Sequence, residues 1–323
     1  MLAAYAARTD PEDPVAALEV GERPEATPPA GREQDWTVVE VRAASLNHHD
    51  LWSLRGVGLP AERLPMILGT DAAGVAPDGS EVVLHAVVGA TGHGVGPREQ
   101  RSILSERYPG TLAERVAVPT WNLVPKPPEL SFAEAACLPT AWLTAYRMLF
   151  TTAGLRPGDR VLVQGVGGGV ASAAITLGAA AGLEVVATSR DAVKRDRAAA
   201  MGAVAAIEPG ARAPFRVDAV VETVGAATWA HSVRALRPGG TIVVAGATSG
   251  DQPGAELTRM FFTELRVLGA TMGTRDDLVA LLRFLVRSGV RPVVDSTFPL
   301  VDARAAMLRL ASGAHTGKIV VLP

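Results

Sequence analysis

Cysteine is almost absent from this sequence, since Cys137 is the only one among 323 residues. A single thiol excludes an intrachain disulfide and any metal site built from several thiolates. This composition is typical of proteins that stay in a reducing compartment, so we expect a cytoplasmic location. No base is adjacent to activate Cys137, and we expect it to be a small buried hydrophobe.

An excess of charge of one sign is also lacking. Lys and Arg together number 31, Asp and Glu number 33, and the formal net charge is -2. Such a chain has no overall field to attract nucleic acid or an anionic membrane surface. We therefore expect a small-molecule substrate and neither of those partners.

Long hydrophobic runs are missing as well. The longest apolar stretch covers residues 170–183, about 14 residues, whereas a membrane-spanning helix needs about 20. Near the N-terminus, Arg8 follows the short apolar segment instead of preceding it, which is the wrong order for a signal peptide. The sequence therefore predicts neither a membrane span nor a secretion signal.

The part of the chain after residue 130 alternates between short apolar strands and helices. Ser131 and Glu134 have the spacing of a capping box, which predicts a helix that begins near Phe132. Buried strands separated by helices are predicted at residues 161–164, 185–188, 204–207, 218–224 and 241–245. Repeated strand–helix–strand units indicate an α/β fold built on a Rossmann-type, doubly wound parallel sheet.

A glycine-rich segment, Gly165-Val-Gly-Gly-Gly-Val-Ala171, lies between the first of these strands and a long helix. Its glycines allow close backbone approach to a pyrophosphate, and the first helical N–H groups would face that anion. The predicted phosphate-binding residues are Gly165, Gly168, Gly169, Val170 and Ala171. The alternative is a tight loop that binds no ligand.

The end of the next strand bears on the choice of dinucleotide. NAD sites usually place Asp or Glu there, whereas this strand ends in Ser189 and Arg190, with Lys194 one helical turn later. These side chains would hold a 2′-phosphate that a carboxylate would repel, so NADP(H) is favoured and NAD(H) is the alternative. Asp191 either caps the following helix or bonds a ribose. A third interpretation is that these residues are solvated side chains at a helix start.

Ordered motifs along nearly the whole chain resemble the medium-chain dehydrogenase/reductase superfamily, and most of all its zinc-binding-dehydrogenase-like and quinone oxidoreductase branch. The motifs are Ala43-Ala-Ser-Leu-Asn-His-His-Asp50, Leu64-Pro-Met-Ile-Leu-Gly-Thr-Asp-Ala-Ala-Gly74, Thr111-Leu-Ala-Glu-Arg-Val-Ala-Val118, Leu138-Pro-Thr-Ala-Trp-Leu-Thr-Ala-Tyr146, the Gly165 segment, Val221-Glu-Thr-Val-Gly225 and Gly317-Lys-Ile-Val320. The resemblance implies a β-rich, GroES-like catalytic domain formed by residues 1–124 and 271–323. Residues 125–270 would form the Rossmann domain.

The resemblance also identifies the positions that hold a catalytic zinc ion in many relatives. Asn47, Thr70 and Thr140 occupy them here, and none of these side chains is a good zinc ligand. The four cysteines of the relatives' structural zinc site are missing from residues 85–110. We therefore expect no bound zinc.

One other metal site is conceivable, built from His49, Asp50 and Asp71, although such groups often simply hydrogen-bond to each other. Residues 89–110 show no clear period, and we expect a long surface loop that could serve as a lid. His85, just before that loop, is expected to be solvated.

Family members without zinc reduce substrates that accept hydride directly, because the negative charge spreads onto an oxygen. The resemblance therefore implies an NADPH-dependent, zinc-independent oxidoreductase that acts on a quinone or on an activated C=C bond. One alternative is a secondary-metabolite enoyl reductase with a large, specific substrate. Two others are a non-catalytic NADP(H)-binding sensor or partner protein and an alcohol dehydrogenase with an unusual metal site.

Motif positions suggest roles for four residues near the reaction. Thr144 would contact the nicotinamide, Asn47 would donate to a cofactor or substrate oxygen, Asp50 would orient its loop and Trp52 would contact the substrate. A structural turn is the alternative for Asn47 and Asp50, and simple packing is the alternative for Trp52. The same resemblance places Gly225, Gly246, Thr271 and Gly273 along the cofactor channel.

The sequence does not identify a single proton donor, and it bears on the oligomeric state only through the resemblance. Solvent, Tyr146 and the His48–His49 pair are all candidates for the donor. In relatives, the strand equivalent to residues 265–269 pairs with its mate across a twofold axis, and Phe261-Phe262 just before it suits a buried contact. The resemblance therefore predicts a homodimer through this edge strand.

Overall fold

The computed structural model of the chain describes residues 1–89 and 102–323. These residues form two compact units. The first unit contains Met1–Ala141 and Gly273–Pro323, and the second contains Trp142–Met272. The proposed lid lies largely in residues 90–101, outside the described residues.

The first unit is rich in β-structure. In its N-terminal segment the described strands are β1 (Leu2–Ala6), β2 (Leu18–Glu22), β3 (Trp36–Ser45), β4 (Met66–Ile67), β5 (Asp71–Val75), β6 (Glu81–Leu84), β7 (Val87–Val88), β8 (Ser102–Ile103), β9 (Arg115–Pro119) and β10 (Leu123–Pro125). Two α-helices join them, α1 (His48–Leu54) and α2 (Phe132–Ala136). The predicted capping box begins α2, since Ser131 Oγ accepts from the Glu134 N–H at 3.2 Å. Because α2 packs against β3 and β5, residues 125–141 lie with the first unit and not with the second, where the sequence placed them.

The second unit alternates strands and helices as the sequence predicts. Its elements are α3 (Leu143–Tyr146), β11 (Arg160–Val163), α4 (Gly169–Ala180), β12 (Glu184–Thr188), α5 (Ala192–Ala200), β13 (Ala205–Ile207), β14 (Val217–Glu222), α6 (Ala226–Ala235), β15 (Leu236–Val244), α7 (Leu257–Phe262) and β16 (Arg266–Gly269). The six strands are all parallel, in the order β13-β12-β11-β14-β15-β16. The strand order reverses between β11 and β14. In such sheets, ligands bind outside the carboxyl ends of the strands at this point.

The chain then returns to the first unit through α8 (Arg275–Ser288), β17 (Val294–Pro299), α9 (Ala303–Ser312) and β18 (Lys318–Leu322). Its largest sheet has the order β10-β6-β5-β3-β18-β17, and β9 also pairs with β3. Because β18 is antiparallel to β3, with Val320 opposite Ser45, the start of β18 lies beside the residues that follow β3. None of the helices in the described residues combines the length and apolar character that a membrane crossing requires.

Two expectations for the segment around the predicted lid are wrong. His85 is buried, and its Nε2 lies 2.9 Å from the backbone oxygen of Gly273. Leu104 and Ser105 are also fully buried, because β8 pairs with β7 and returns the chain to the core. Gly and charged residues are concentrated in residues 90–101, and this composition makes the whole of residues 89–110 resemble a surface loop.

Candidate functional site

A buried polar cluster lies in the first unit, where β3, β5 and β18 meet. The strand registers bring it together, since Ser45 is opposite Asp71 and Val320 is opposite Ser45. These pairings place Lys318, at the start of β18, next to Asn47. Four side chains in the cluster are at least nine-tenths buried: Asn47, Thr70, Asp71 and Lys318.

Lys318 is the cation of this cluster. Its Nζ donates to the backbone oxygen of Leu46 at 2.7 Å, to Asn47 Oδ1 at 2.6 Å and to Asp71 Oδ2 at 3.0 Å. These three bonds use every hydrogen of the ammonium group. The sequence contained a signal for this residue, because Lys318 belongs to the Gly317-Lys-Ile-Val motif, but no role was predicted for it.

The side-chain amide of Asn47 makes all its hydrogen bonds within the cluster. Its Nδ2 donates to Thr70 Oγ1 at 3.1 Å and to Asp71 Oδ2 at 2.8 Å, while its Oδ1 accepts from Lys318. The amide orientation is determined chemically, because an ammonium only donates and a carboxylate only accepts. Asn47 therefore has no free hydrogen for a cofactor or substrate oxygen, and the predicted bond does not agree with the structure.

Thr70 and Thr140 complete the three positions that hold zinc in many relatives. Their hydroxyl oxygens lie 2.9 Å apart, a hydrogen-bond distance. Zinc prefers thiolate, imidazole and carboxylate ligands. Here the set consists of two hydroxyls bonded to each other and an amide oxygen already bonded to an ammonium, so these residues do not fit zinc.

The other metal alternative does not find support in residues 1–89 and 102–323, where no group of three His, Cys, Asp or Glu side chains is placed to hold an ion. His49 Nε2 instead lies 3.3 Å from Glu106 Oε1. Asp50 Oδ2 accepts from the Asn47 N–H at 2.8 Å, and its Oδ1 accepts from the Gly69 N–H at 3.0 Å. Burial raises the pKa of Asp50, although nearby His49 acts against this. These contacts join the start of α1 to the segment before β5, and the role of Asp50 in orienting its loop stays a prediction.

Two other predicted residues have mainly local contacts. Trp52 lies half-buried on α1, with the His48 ring edge-on at 6.2 Å and the Arg55 guanidinium 5.1 Å from its ring centre. These contacts favour the packing alternative for Trp52. Cys137 is buried as predicted, and burial raises the pKa of its thiol to about 12. A thiol that stays protonated at neutral pH is a poor nucleophile.

In the second unit the glycine-rich segment connects β11 to the start of α4. Gly165 has φ +98°, a conformation that favours glycine, and Gly168 is the N-cap of the helix. The first intrahelical bond runs from the Ser172 N–H to the Gly168 oxygen at 2.9 Å. The N–H groups of Gly169, Val170 and Ala171 precede that bond, as an anion site at a helix start requires.

Gly168 itself is not required by the protein's own geometry. Its backbone angles, φ -68° and ψ 154°, suit any residue, and a Cβ built there would meet no atom within 4 Å. The absence of a side chain at this position leaves room beside the helix start. A ligand that approaches the backbone closely is a physical reason for such a glycine.

The residues predicted to choose between NAD and NADP lie at the end of β12. Arg190 is exposed, while Asp191 Oδ1 accepts from the N–H groups of Val193 at 2.8 Å and Lys194 at 3.4 Å. Asp191 is thus the N-cap of α5, one of the two roles left open for it. Arg195, which sequence reasoning missed, donates to the Ser189 oxygen at 2.8 Å and adds another cation to this strand end.

The other predicted cofactor residues also follow the strands of the parallel sheet. Gly225 follows β14, Gly246 follows β15 and Thr271 follows β16, so all three lie at the same carboxyl edge as the glycine-rich segment. Gly273 instead belongs to the first unit. Thr144 lies buried on α3.

A buried carboxylate, Glu222, organises the turn at Gly225 and was not predicted. Glu222 Oε1 accepts from the backbone N–H groups of Val224 at 2.8 Å and Gly225 at 3.0 Å. The Thr228 and Ser232 hydroxyls donate to the same carboxylate, and the Glu222 side chain is fully buried. Its sequence signal is the Val221-Glu-Thr-Val-Gly225 motif.

Comparison with known proteins gives the family. Residues 33–128 match the alcohol dehydrogenase GroES-like domain, and residues 191–321 match the zinc-binding dehydrogenase family. The crystal structure of an NAD-dependent alcohol dehydrogenase superposes with a TM-score of 0.88, at 32% identity and with 100% of both chains covered. The chain belongs to the medium-chain dehydrogenase/reductase superfamily.

Within this superfamily the chain is zinc-binding-dehydrogenase-like by sequence and is an NAD(P)H-dependent oxidoreductase. It is 32% identical to the spectinabilin polyketide synthase system protein NorB of Streptomyces orinoci, over 88% of this chain but only 13% of that much longer protein. It is 28% identical to the crotonyl-CoA reductase of Streptomyces avermitilis, over 88% of this chain and 78% of the relative. The predicted combination of a Rossmann sheet and a GroES-like domain is confirmed.

Proposed function

We propose that this protein is a zinc-independent, NADPH-dependent reductase of activated C=C bonds. Its substrate is an enone, an enoyl thioester or a quinone, in which a carbonyl oxygen takes up the negative charge left by hydride addition. Bound NADPH supplies the hydride. The observation that carries the proposal is the donor set Asn47, Thr70 and Thr140, which does not suit zinc in a protein of a zinc-binding dehydrogenase family.

The carboxyl edge of the parallel sheet supports dinucleotide binding. The start of α4 offers backbone N–H groups at a point where Gly168 leaves space, and an anion there gains from the helix dipole. Arg190 and Lys194 follow the end of β12, where a Rossmann site binds the adenosine ribose, and Asp191 is occupied as a helix cap. This charge pattern favours NADP(H) over NAD(H).

The lack of a suitable zinc ligand set bears on the substrate class. Alcohol oxidation of the zinc-dependent kind relies on a Lewis acid to stabilise an alkoxide. A conjugated acceptor needs less assistance, because its carbonyl delocalises the charge. The names of the two Streptomyces relatives, a crotonyl-CoA reductase and a polyketide synthase system protein, favour an enoyl group over a quinone. The second candidate function is accordingly that of a secondary-metabolite enoyl reductase with one large, specific substrate.

The test is NADPH consumption with a panel that contains quinones, simple enones and enoyl thioesters, with NADP⁺ reduction by primary and secondary alcohols in parallel. The proposal predicts turnover with at least one conjugated acceptor and none with the alcohols. NADPH binding without any turnover would favour the sensor alternative. Alcohol oxidation that stops after chelator treatment would favour the alcohol dehydrogenase alternative.

We also propose that the protein forms a homodimer through β16. All four residues of this edge strand are exposed in the single chain, and Val267 and Leu268 among them are 41% and 37% exposed. Phe261 and Phe262, just before it, are 63% and 75% exposed, an unusual exposure for two adjacent phenylalanines. Light scattering should give a dimer for the wild type and a monomer for Leu268→Arg. Leu308→Arg, which replaces an exposed leucine on α9, should leave the dimer intact.

A further inference from the structure

The hydrogen bonds of the buried cluster run in one direction, from Lys318 toward Thr140. Lys318 donates to Asn47 Oδ1, and the Asn47 amide donates to Thr70 Oγ1. Thr70 is fully buried and already accepts this bond, and the other hydroxyl within reach is that of Thr140, 2.9 Å away. Since a buried hydroxyl hydrogen needs an acceptor, Thr70 donates to Thr140.

This direction leaves the hydrogen of the Thr140 hydroxyl for a group outside the cluster. Thr140 is partly exposed, unlike the other members, and it lies in the π-helical turn Leu138–Trp142 between α2 and α3. Hydrogen bonds in a chain polarise one another when each group both accepts and donates. A chain that begins at an ammonium therefore makes its last hydroxyl a stronger donor than an isolated threonine.

We propose that Thr140 Oγ1 donates a hydrogen bond to the carbonyl oxygen of the substrate. This inference rests on the proposed function and identifies the group that stabilises the enolate oxygen as hydride adds to the conjugated C=C bond. Among these hydrogen-bonded residues Thr140 is the catalytic one, because it contacts the substrate. Thr70, Asn47 and Lys318 are positioning residues that act through it. The Thr140 oxygen keeps its hydrogen throughout, so the proton that later completes the reduction at carbon comes from another donor.

The arrangement explains why Asn47, Thr70 and Thr140, at positions that hold zinc in many relatives, are polar instead of apolar. Two hydroxyls and an amide with no role would be costly to bury. Here they connect a buried positive charge to one partly exposed donor. In place of a metal ion, the ammonium of the Lys318–Asp71 ion pair begins a series of hydrogen bonds that ends at Thr140.

The test uses a chromophoric enal, 4-(dimethylamino)cinnamaldehyde, whose absorption band moves to longer wavelength when its carbonyl oxygen is hydrogen bonded. The enal is titrated into wild-type enzyme with NADP⁺ present, so that no hydride can be transferred. We expect a saturable red shift for the wild type and for Thr140→Ser, which keeps the hydroxyl. The shift should be lost in Thr140→Val, which keeps the shape but not the hydrogen.

A second variant separates the positioning residues from the donor. Replacing Lys318 by Met together with Asp71 by Asn removes the ammonium without leaving an unpaired buried carboxylate. We expect this double variant to bind NADPH as tightly as the wild type but to show a smaller red shift. In turnover, Thr140→Val should lower kcat about tenfold or more, and Thr140→Ser should restore most of it.

An unchanged shift in Thr140→Val would overturn the inference, and so would the lack of any saturable shift with the wild-type enzyme. The proposed function fails independently, if no conjugated acceptor in the panel is reduced. Because the enal titration does not depend on turnover, the two failures can be told apart.

Discussion

Lys318 and Asp71 form an ion pair that is almost completely shielded from solvent. The distance between Lys318 Nζ and Asp71 Oδ2 is 3.0 Å, and the two side chains are 2% and 0% exposed. The pair joins β18, near the C-terminus, to β5, and it also fixes the orientation of the Asn47 amide. The ion pair therefore links two strands of the first unit's sheet to the polar cluster.

Removing one partner of this pair should destabilise the protein strongly. Lys318→Met leaves the Asp71 carboxylate buried without its cation, and we expect a loss of about 3–5 kcal/mol in the free energy of unfolding. Urea denaturation measures it. The exposed pair Arg42–Glu40 in the same unit is the control, and Arg42→Ala should cost less than about 1 kcal/mol. If Lys318→Met and Arg42→Ala lowered the free energy of unfolding equally, burial would not be what makes the loss of Lys318 costly.

Gly168→Ala should separate folding from cofactor binding. The backbone conformation of Gly168 suits alanine and its surroundings are open, so the melting temperature should change little, because the entropy gained offsets the poorer N-cap. The added methyl group would intrude where the pyrophosphate approaches, and the Kd for NADPH should increase about tenfold or more. Calorimetry gives this Kd. Gly254→Ala, also with open surroundings and in the same unit, should change neither quantity, and unaltered NADPH affinity in Gly168→Ala would argue against the site.

Arg190→Ala should alter the choice between the two dinucleotides. Loss of the guanidinium removes a charged bond to the 2′-phosphate, so affinity for NADPH should fall about tenfold, or about 1.4 kcal/mol, while affinity for NADH stays unchanged. The ratio of kcat/KM for the two cofactors measures this effect. Arg197, exposed at the other end of α5, supplies a matched control. An equal loss of affinity for NADPH and NADH would mean that Arg190 does not bind the 2′-phosphate.

Cys137 should be unreactive until the protein unfolds. Its pKa is raised to about 12 by burial, from an ordinary value of 9.0, so the folded thiol stays protonated at pH 8. A disulfide reagent such as dithionitrobenzoate should modify no thiol in the native protein and one thiol per chain in guanidinium. Above about pH 9 the unfolded thiol ionises while the folded one does not, so this group favours unfolding as the pH rises. Rapid modification of native protein would place the thiol at the surface.

Much of the second unit could be predicted from sequence because its signals are local. The glycines from Gly165 onward act within a few residues of chain, and in the first unit the capping pattern at Ser131 and Glu134 does the same. The order of strands and helices followed from apolar runs and turn residues. The two roles left open for Asp191 could be separated only in three dimensions, where its carboxylate bonds the start of α5.

The polar cluster of the first unit could not be predicted in the same way, because it depends on strand register. Lys318 lies 271 positions from Asn47 along the chain, and only the pairing of β18 with β3 brings them within 2.6 Å. For the same reason the sequence alone predicts an Asn47 amide that can bind a ligand. The burial of His85 likewise depends on a contact with Gly273, 188 positions away.

The most direct test of the central claim is hydride transfer by enzyme stripped of metal. The protein is dialysed against a strong chelator, its zinc content is measured, and it is then incubated with NADPH deuterated at C4 and a conjugated enone or enoyl thioester. The account predicts substoichiometric zinc, undiminished turnover and deuterium at the β-carbon of the product. Stoichiometric zinc whose removal abolishes the transfer, and whose return restores it, would contradict the account.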